Sequence, residues 1–342
     1  LQVIAGESLQ RRAQAQWTSE SVVSPLRGRI LDRNGSVLAI SATAYTASVN
    51  PRQVKNAARF GEILSPVLNM DAEKIAARAT RTGRSSVVLK RQLPRETAQQ
   101  LKSMLAEHRQ KKSDALEGLV LDEDSQRFYP YGEFLSQVIG ITTIDGVGQS
   151  GLEASLNDFL SGKSGKVLGE IDGKGRALSY GKSEYIAAVN GSDVTLTIDA
   201  TIQGFCEKAA REAIEVNSAQ SIRILAMNPN TGEILAMAMQ PAFDLNDPPR
   251  DDVAELNRRM RNTLICDAYE PGSTFKVLTM AAALDAGAAK LSDGFYCSGS
   301  VYVEGGRIKC WGKPHGAETL AQGLQNSCNP VFVELALRLG AD

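Results

Sequence analysis

Glu270-Pro271-Gly272-Ser273-Thr274-Phe275-Lys276 runs straight into Val277-Leu278-Thr279-Met280-Ala281-Ala282-Ala283-Leu284, and Asp285-Ala286-Gly287 follows. From Val277 to Leu284 only Thr279 is not apolar. The pattern predicts a helix that starts near Ser273 and stops at Gly287, a residue suited to a left-handed cap. A helix apolar almost all round is expected to be buried. Its first turn then carries a hydroxyl and an amine on one face, because residues three apart are neighbours. The same end offers unpaired N–H groups and the positive end of the helix dipole. Burial pushes a lysine toward its neutral form, so Ser273 beside Lys276 reads as a candidate activated nucleophile. A simpler reading also fits, with Ser273 as a helix cap and Lys276 as a surface lysine. Ser179-Tyr180-Gly181-Lys182 repeats the spacing, but its glycine and the extended run that follows mark it as a chance occurrence.

Composition narrows the classes. A length of 342 residues predicts two or three domains. The net charge of −1 and the lack of any long basic run argue against nucleic acid as a partner. Only two histidines occur, His108 and His315, which leaves a Ser-His-Asp triad and most zinc sites poorly supplied. No apolar stretch is long enough to span a membrane. The chain opens on Leu1 rather than Met, on a helix-like segment, so a signal or anchor upstream is compatible with it.

Along the chain, residues 1–20 read as helical. Residues 27–49 read as two extended pieces around a turn at Asn34-Gly35. Helical spacing covers 57–82 and 96–110, a turn-rich stretch 128–132, a glycine-rich loop 146–151, and a short helix 152–160. The character changes around 188–194, which places a domain boundary there. Asp199 then opens a helix to about Asn217 with an apolar face of Ile202, Phe205, Cys206, Ala209, Ala210 and Ala213. Two strands, 222–227 and 233–239, flank a turn at Asn228-Pro229-Asn230-Thr231-Gly232. Ala236 and Ala238 suit a helix lying close across the second strand, and Met227, Met237 and Met239 read as core filling.

A second constellation is Ser327-Cys328-Asn329, between predicted helices over 318–325 and 330–340. Pro330 is a favoured first helical residue, so Asn329 reads most simply as its cap. The chemical reading is a hydroxyl that can shuttle a proton and an amide that can grip a peptide. Ser-x-Asn also occurs at Ser48-Val49-Asn50 and Ser155-Leu156-Asn157.

A helix-borne Ser-x-x-Lys followed by Ser-x-Asn resembles the penicillin-binding proteins and serine β-lactamases, whose third signature is Lys-Thr/Ser-Gly. The likeness is closer to the class B penicillin-binding proteins, the monofunctional peptidoglycan transpeptidases, and it covers nearly the whole chain. Arg27-Gly28-Arg29-Ile30-Leu31-Asp32-Arg33-Asn34-Gly35, Arg127-Phe128-Tyr129-Pro130 and Gly148-Gln149-Ser150-Gly151-Leu152-Glu153 resemble boxes of their non-catalytic N-terminal domain. Thr197-Ile198-Asp199 with Ile202-Gln203, Asn228-Pro229-Asn230-Thr231-Gly232-Glu233-Ile234-Leu235-Ala236 and Tyr269-Glu270-Pro271-Gly272-Ser273-Thr274-Phe275-Lys276 resemble their transpeptidase domain. The stretch from Cys297 through His315-Gly316 to Asn329 is most similar to sporulation-type and division-type members of Gram-positive bacteria.

The resemblance implies an α+β fold: a mixed pedestal over 1–190, then the first part of a transpeptidase domain over 191–342, an antiparallel sheet packed between helices. It departs in one respect. Lys163-Ser164-Gly165 has the third signature's letters but precedes Ser273, so the expected strand after Ser-x-Asn is absent and the catalytic domain is expected to be incomplete at Asp342. The implied function is a serine D,D-transpeptidase that cross-links peptidoglycan stem peptides, with β-lactams as covalent inhibitors. Ser273 is the implied nucleophile, Lys276 the proton acceptor, Ser327 the proton relay and Asn329 the peptide grip. No metal or cofactor is implied. A glycosyltransferase partner in the membrane and a single-pass anchor upstream of residue 1, with the catalytic domain outside the cytoplasm, follow from the same resemblance. Alternatives are a carboxypeptidase or β-lactamase, which pass the acyl group to water, and a scaffold or sensor that no longer turns over. The long N-terminal domain argues against a β-lactamase.

Five cysteines cannot all pair within one chain. Cys206 reads as core, and Cys266 has no evident role. Cys328 lies inside the Ser-x-Asn turn, so a Cys310–Cys328 disulfide is expected to distort the site and make activity depend on reduction. The alternative is that Cys297, Cys310 and Cys328 are small buried hydrophobes.

Overall fold

The computed structural model describes residues 18–170 and 183–340. Residues 1–17 of the helix expected over 1–20 and the second Ser-x-x-Lys at Ser179–Lys182 lie outside them; residues 18–20, expected to be helical, belong to a strand. In chain order the strands are β1 (Thr18–Val23), β2 (Ile30–Leu31), β3 (Val37–Val49), β4 (Val87–Leu93), β5 (Leu119–Phe128), β6 (Gly165–Glu170) and β7 (Ser183–Ile186). There follow β8 (Val194–Thr195), β9 (Ile222–Met227), β10 (Ile234–Gln240), β11 (Gly294–Cys297), β12 (Ser300–Val303), β13 (Gly306–Lys309) and β14 (Gly316–Thr319). The helices are α1 (Ala57–Leu68), α2 (Ala72–Ala79), α3 (Arg95–Gln110), α4 (Ser136–Ile139), α5 (Gly151–Ser155) and α6 (Asn157–Leu160). They continue with α7 (Ala200–Val216), α8 (Val253–Met260), α9 (Thr263–Cys266), α10 (Phe275–Asp285), α11 (Leu320–Gln325) and α12 (Asn329–Leu339). The elements divide into two units, Leu1–Cys266 and Asp267–Asp342.

In the first unit the Asn34-Gly35 turn joins β2 to β3 in antiparallel register, Ile30 opposite Ala39, with Gly35 at φ +88° as such a turn requires. The sheet runs β4-β3-β2-β8, with β5 also paired along β3 from Ile40 opposite Phe128 to Val49 opposite Leu119. The pairing of β8 with β2 is parallel. Helices α1 to α3 cover this sheet, and Phe60, Leu64, Leu68, Ile75, Leu89 and Leu101 fill the space between. The helical spacing over 57–82 is two helices, because Asn69 adopts a left-handed cap at φ +46° and Asp71 caps the next helix by accepting from Glu73 N–H.

The three N-terminal boxes, far apart in sequence, converge on one buried ion cluster. Glu153 is fully buried and accepts from Arg27 Nε at 2.6 Å and from Arg127 Nε at 2.6 Å. Arg27 also reaches the Glu153 carbonyl at 2.6 Å, and Arg127 the Gly28 carbonyl at 2.8 Å. Asp32 is buried too and accepts from the backbone N–H groups of Asn34, Ser36 and Ala200. Burial alone would raise its carboxyl pKa, but these bonds outweigh burial and hold it below the usual carboxylate range.

Helix α7 forms where expected, capped by Asp199. Its buried face differs from the expected one. Gln203, Glu207 and Ala210 are inside, while Phe205 is 70% exposed. Gln203 accepts from Met237 N–H at 2.6 Å and donates to Met237 O at 3.1 Å, clamping α7 onto β10. Glu207 accepts from Gln203 and from Leu135 N–H. Polar side chains that complete backbone hydrogen bonds can be buried at little cost, which apolar periodicity does not register. The two strands β9 and β10 pair antiparallel, and Ala236 and Ala238 lie buried on β10 beneath α7, as their small size anticipates.

The second unit pairs β11 with β14, Gly294 opposite Thr319 and Cys297 opposite Gly316, and folds β12 and β13 into a hairpin. Helix α12 packs on α10, and Met280, Ala283, Phe295, Leu320, Val331 and Leu335 form the core. Helix α10 is not buried all round: Met280 and Ala283 are inside, whereas Val277 and Leu278 are 57% and 60% exposed. Its one packing stripe faces α12, and the rest is an open apolar face of the kind that other structure normally covers.

Candidate active site

The stretch that opens the chain's chemistry folds in two steps. Gly272 at φ +56° lets the chain turn out of Pro271 into a single 3-10 turn, Gly272–Thr274, before α10 begins at Phe275. The Thr274 hydroxyl donates to Pro271 O at 2.6 Å and secures that turn. Thr274, not Ser273, occupies the cap position of α10. Ser273 is exposed and Lys276 half-buried, so the hydroxyl stands in more water than an all-round apolar helix predicts, because that helix face is open.

Lys276 is the centre of the arrangement. Its Nζ donates to Asn329 Oδ1 at 2.6 Å, to Ser327 O at 2.6 Å and to Ser327 Oγ at 3.0 Å, and lies 3.4 Å from Ser273 Oγ. It also sits 5.6 Å from the centre of the Phe332 ring. All four predicted residues, Ser273, Lys276, Ser327 and Asn329, are thus drawn together by one amine. Burial lowers the Lys276 pKa, and the neighbouring Cys310 and Cys328 sulfurs, whose ionised forms would favour the charged amine, oppose that shift without cancelling it.

The Ser-x-Asn turn is shaped by its neighbours. Ser327 is left-handed at φ +50°, an uncommon conformation for serine. Cys328 N–H donates to Gly323 O at 2.8 Å. Gly323 is required there, since a Cβ on it would lie 2.7 Å from Val331 Cγ1 where α11 meets α12. Asn329 is not the helix cap. Cys328 holds that position, and the Asn329 side chain reaches back instead, accepting from Lys276 and donating to Lys309 O at 2.9 Å. The helix expected over 318–325 is α11, started by a capping box of Thr319 and Gln322.

Beside the turn lies a group that the sequence reading did not assemble. Cys297, Cys310, His315 and Cys328 offer four ligand atoms that all lie within 4.8 Å of one another. Cys310 Sγ is 3.7 Å from His315 Nδ1. All five cysteines are free thiols, so Cys310 and Cys328 belong to a cluster of four rather than to a bonded pair. Burial pushes the Cys297 thiol up, but bonds from the His315 and Gly299 backbone and from the Cys328 and His315 side chains outweigh it and bring it to about 7. Burial, first, and Glu318 push the Cys328 thiol up. Counting histidines hid this group, because a cysteine-rich set needs only one. The spacing Cys297-x12-Cys310-x4-His315-x12-Cys328 was the available signal.

The penicillin-binding protein dimerisation domain matches residues 22–196, and the penicillin-binding protein transpeptidase domain matches residues 222–342. The chain is 38% identical over 346 residues to stage V sporulation protein D of Bacillus subtilis (strain 168), covering 100% of this chain and 52% of that protein. It is 29% identical to peptidoglycan D,D-transpeptidase FtsI of Escherichia coli (strain K12), covering 99% of this chain and 56% of that one. Among solved structures, a peptidoglycan synthetase from Bifidobacterium adolescentis ATCC 15703 is similar with a TM-score of 0.65 and 27% identity, over 93% of this chain and 60% of that one. The chain spans about half the length of the curated relatives it matches. No helix of the described residues is long and apolar enough to cross a membrane. The match of the dimerisation domain to half the chain, followed by the transpeptidase domain around the Lys276 cluster, means that the chain belongs to the class B penicillin-binding proteins.

Proposed function

We propose that the protein is a serine D,D-transpeptidase that cross-links peptidoglycan stem peptides and is acylated by β-lactams. The observation that carries this is the convergence of Ser273 Oγ, Ser327 Oγ and Asn329 Oδ1 on Lys276 Nζ. Ser273 Oγ attacks the penultimate D-alanyl carbonyl of a donor stem. Its proton passes to Lys276, whose lowered pKa favours the neutral amine that can accept it. Ser327 hands a proton to the leaving D-alanine nitrogen as the amide bond breaks and takes one back from Lys276, and an ester to Ser273 remains. An amine of a second stem then attacks that ester, forms the cross-link and returns the proton to Ser273. Asn329 holds the donor peptide, for which its bond to Lys309 O must open or be shared. The backbone N–H of Ser273 serves the oxyanion, with a second donor from the third signature strand.

The assignment of 1–190 as pedestal and 191–342 as the first part of the catalytic domain belongs to the same reading. So do an anchor upstream of residue 1, a catalytic domain outside the cytoplasm, and a glycosyltransferase partner. The deciding experiment gives the full-length protein a pentapeptide-stem donor with and without an acceptor amine. A transpeptidase yields cross-linked dimer that depends on the acceptor. Release of D-alanine at an unchanged rate with no dimer at any acceptor concentration identifies a carboxypeptidase instead. No release at all identifies a non-catalytic scaffold.

A further inference from the structure

We infer that Cys297, Cys310, His315 and Cys328 hold a structural zinc ion, and that this ion sets the Ser327-Cys328-Asn329 turn. Three thiols and one imidazole make up one of the closed ligand sets of structural zinc. Zn–S bonds of about 2.3 Å and Zn–N bonds of about 2.0–2.1 Å give a tetrahedron whose edges are roughly 3.6–3.8 Å. The Cys310 Sγ to His315 Nδ1 separation of 3.7 Å already equals such an edge, and the span of 4.8 Å across the group closes with small side-chain rotations.

The surroundings favour an ion over four side chains that merely pack. Cys297 and Cys328 are fully buried and Cys310 is 9% exposed, so the thiols face one another inside the unit. Each ligand comes from a different piece of chain: Cys297 from the end of β11, Cys310 from the exit of β13, His315 from the approach to β14 and Cys328 from the start of α12. The backbone aligns them, with Cys297 opposite Gly316 in the β11–β14 register and Cys310 N–H bonded to Gly299 O at 2.9 Å. Ordinary core packing explains buried cysteines one at a time; it gives no reason for a histidine to join three of them. A second observation points the same way. Glu318 is buried, its Oε1 has no hydrogen-bond partner, and that oxygen lies 3.9 Å from His315 Nδ1. Because that oxygen faces the nitrogen that would bind the ion, it adds an unpaired negative charge beside the ligands, which a divalent cation would offset, rather than a hydrogen bond to the ring.

The ion would act on the active site through one residue. Cys328 sits between Ser327, held left-handed, and Asn329, whose amide bonds Lys276. Tying Cys328 Sγ to three other chain segments fixes the turn from behind while both flanking side chains face the amine. On binding, the three thiols release their protons to solvent, and no other bond changes.

The test is the metal content of the full-length protein purified under reducing conditions without chelator. About one zinc per chain is expected. Replacing zinc with Co(II) should give the intense visible bands of a tetrahedral thiolate site, a readout independent of any variant. Glu318→Gln, which removes the negative charge beside the ligands, should weaken zinc binding, and Cys310→Ser and His315→Ala should lower zinc content further. Protein without zinc that fails to take up added Zn(II), a weak six-coordinate Co(II) spectrum, or undiminished zinc in Cys310→Ser would overturn the site. A Cys310–Cys328 disulfide in place of metal would do so as well. The effect on the turn rests on the Ser273 reading and is measured separately: stripping zinc should slow penicillin acylation, and restoring it should recover the rate. Zinc present with acylation unchanged on its removal would leave the site standing and refute its role in the turn.

Discussion

Replacing Lys276 by Met keeps the aliphatic stem against α12 and removes the amine. The structure separates two consequences. The Ser327 carbonyl and Asn329 Oδ1 lose donors at 2.6 Å, but Lys276 is only half-buried, so water can replace much of what is lost. That loss, with the contact to the Phe332 ring, should cost about 1–2 kcal/mol of stability. The chemical consequence is larger. Loss of a positioned proton acceptor for Ser273 should slow acylation about 10²–10⁴-fold, or roughly 3–5 kcal/mol in the barrier. The assay is the second-order rate of labelling of the full-length protein by a fluorescent penicillin, alongside its melting temperature. Lys276→Arg sharpens it, because a guanidinium keeps the charge and can still donate to Ser327 and Asn329, yet does not give up a proton near neutral pH. It should be slowed as much as Lys276→Met. Lys276→Arg acylating within tenfold of wild type would show that the amine only positions Ser327 and Asn329, and would refute the proton-transfer role.

Glu153→Gln leaves the buried guanidinium groups of Arg27 and Arg127 without their counter-charge and should cost about 3–5 kcal/mol, lowering the melting temperature by roughly 10 °C; a shift of a degree or two would mean that water screens the cluster. Gly323→Ala forces a Cβ against Val331 Cγ1 and should cost about 1–3 kcal/mol. Because Cys328 N–H bonds Gly323 O, acylation should slow as well, and a variant with lowered stability but an unchanged acylation rate would uncouple the α11–α12 contact from the turn. Asp32 has a carboxyl pKa depressed in the folded protein, so its contribution is present above the unfolded value of about 3.9 and is lost as pH falls through the folded one. Chemical denaturation should find wild type more stable than Asp32→Asn at pH 7, with the gap closing below about pH 4; a gap independent of pH would assign the loss to packing alone.

The features legible from sequence were those with local causes. Turn chemistry at Asn34-Gly35 and at residues 228–232 and the spacing of Ser273 with Lys276 each depend on a few adjacent residues, and each folds as read, while α12 starts one residue ahead of Pro330. What escaped the reading depends on partners distant in sequence. Gln203 and Glu207 lay outside the apolar face read from the sequence because period alone cannot tell that Met237 and Leu135 supply backbone groups for them. Asn329 looked like a cap because its true partners, Lys276 and Lys309, arrive from other elements. Helix α10 looked buried because its composition is apolar, but composition does not say how many faces find a neighbour within the chain. The thiol cluster was missed for a related reason. Its four residues span 297–328 with two strands of hairpin looped between them, so only the fold brings them together.

The site of covalent modification by a penicillin decides whether Ser273 is the nucleophile. The full-length protein is incubated with a labelled penicillin, digested, and the labelled peptide sequenced by mass spectrometry, with Ser273→Ala as the control. One stable adduct is expected on Ser273, within the peptide that carries Lys276, and none in Ser273→Ala with its melting temperature unchanged. Label on any other serine, or undiminished labelling of Ser273→Ala, would contradict that assignment.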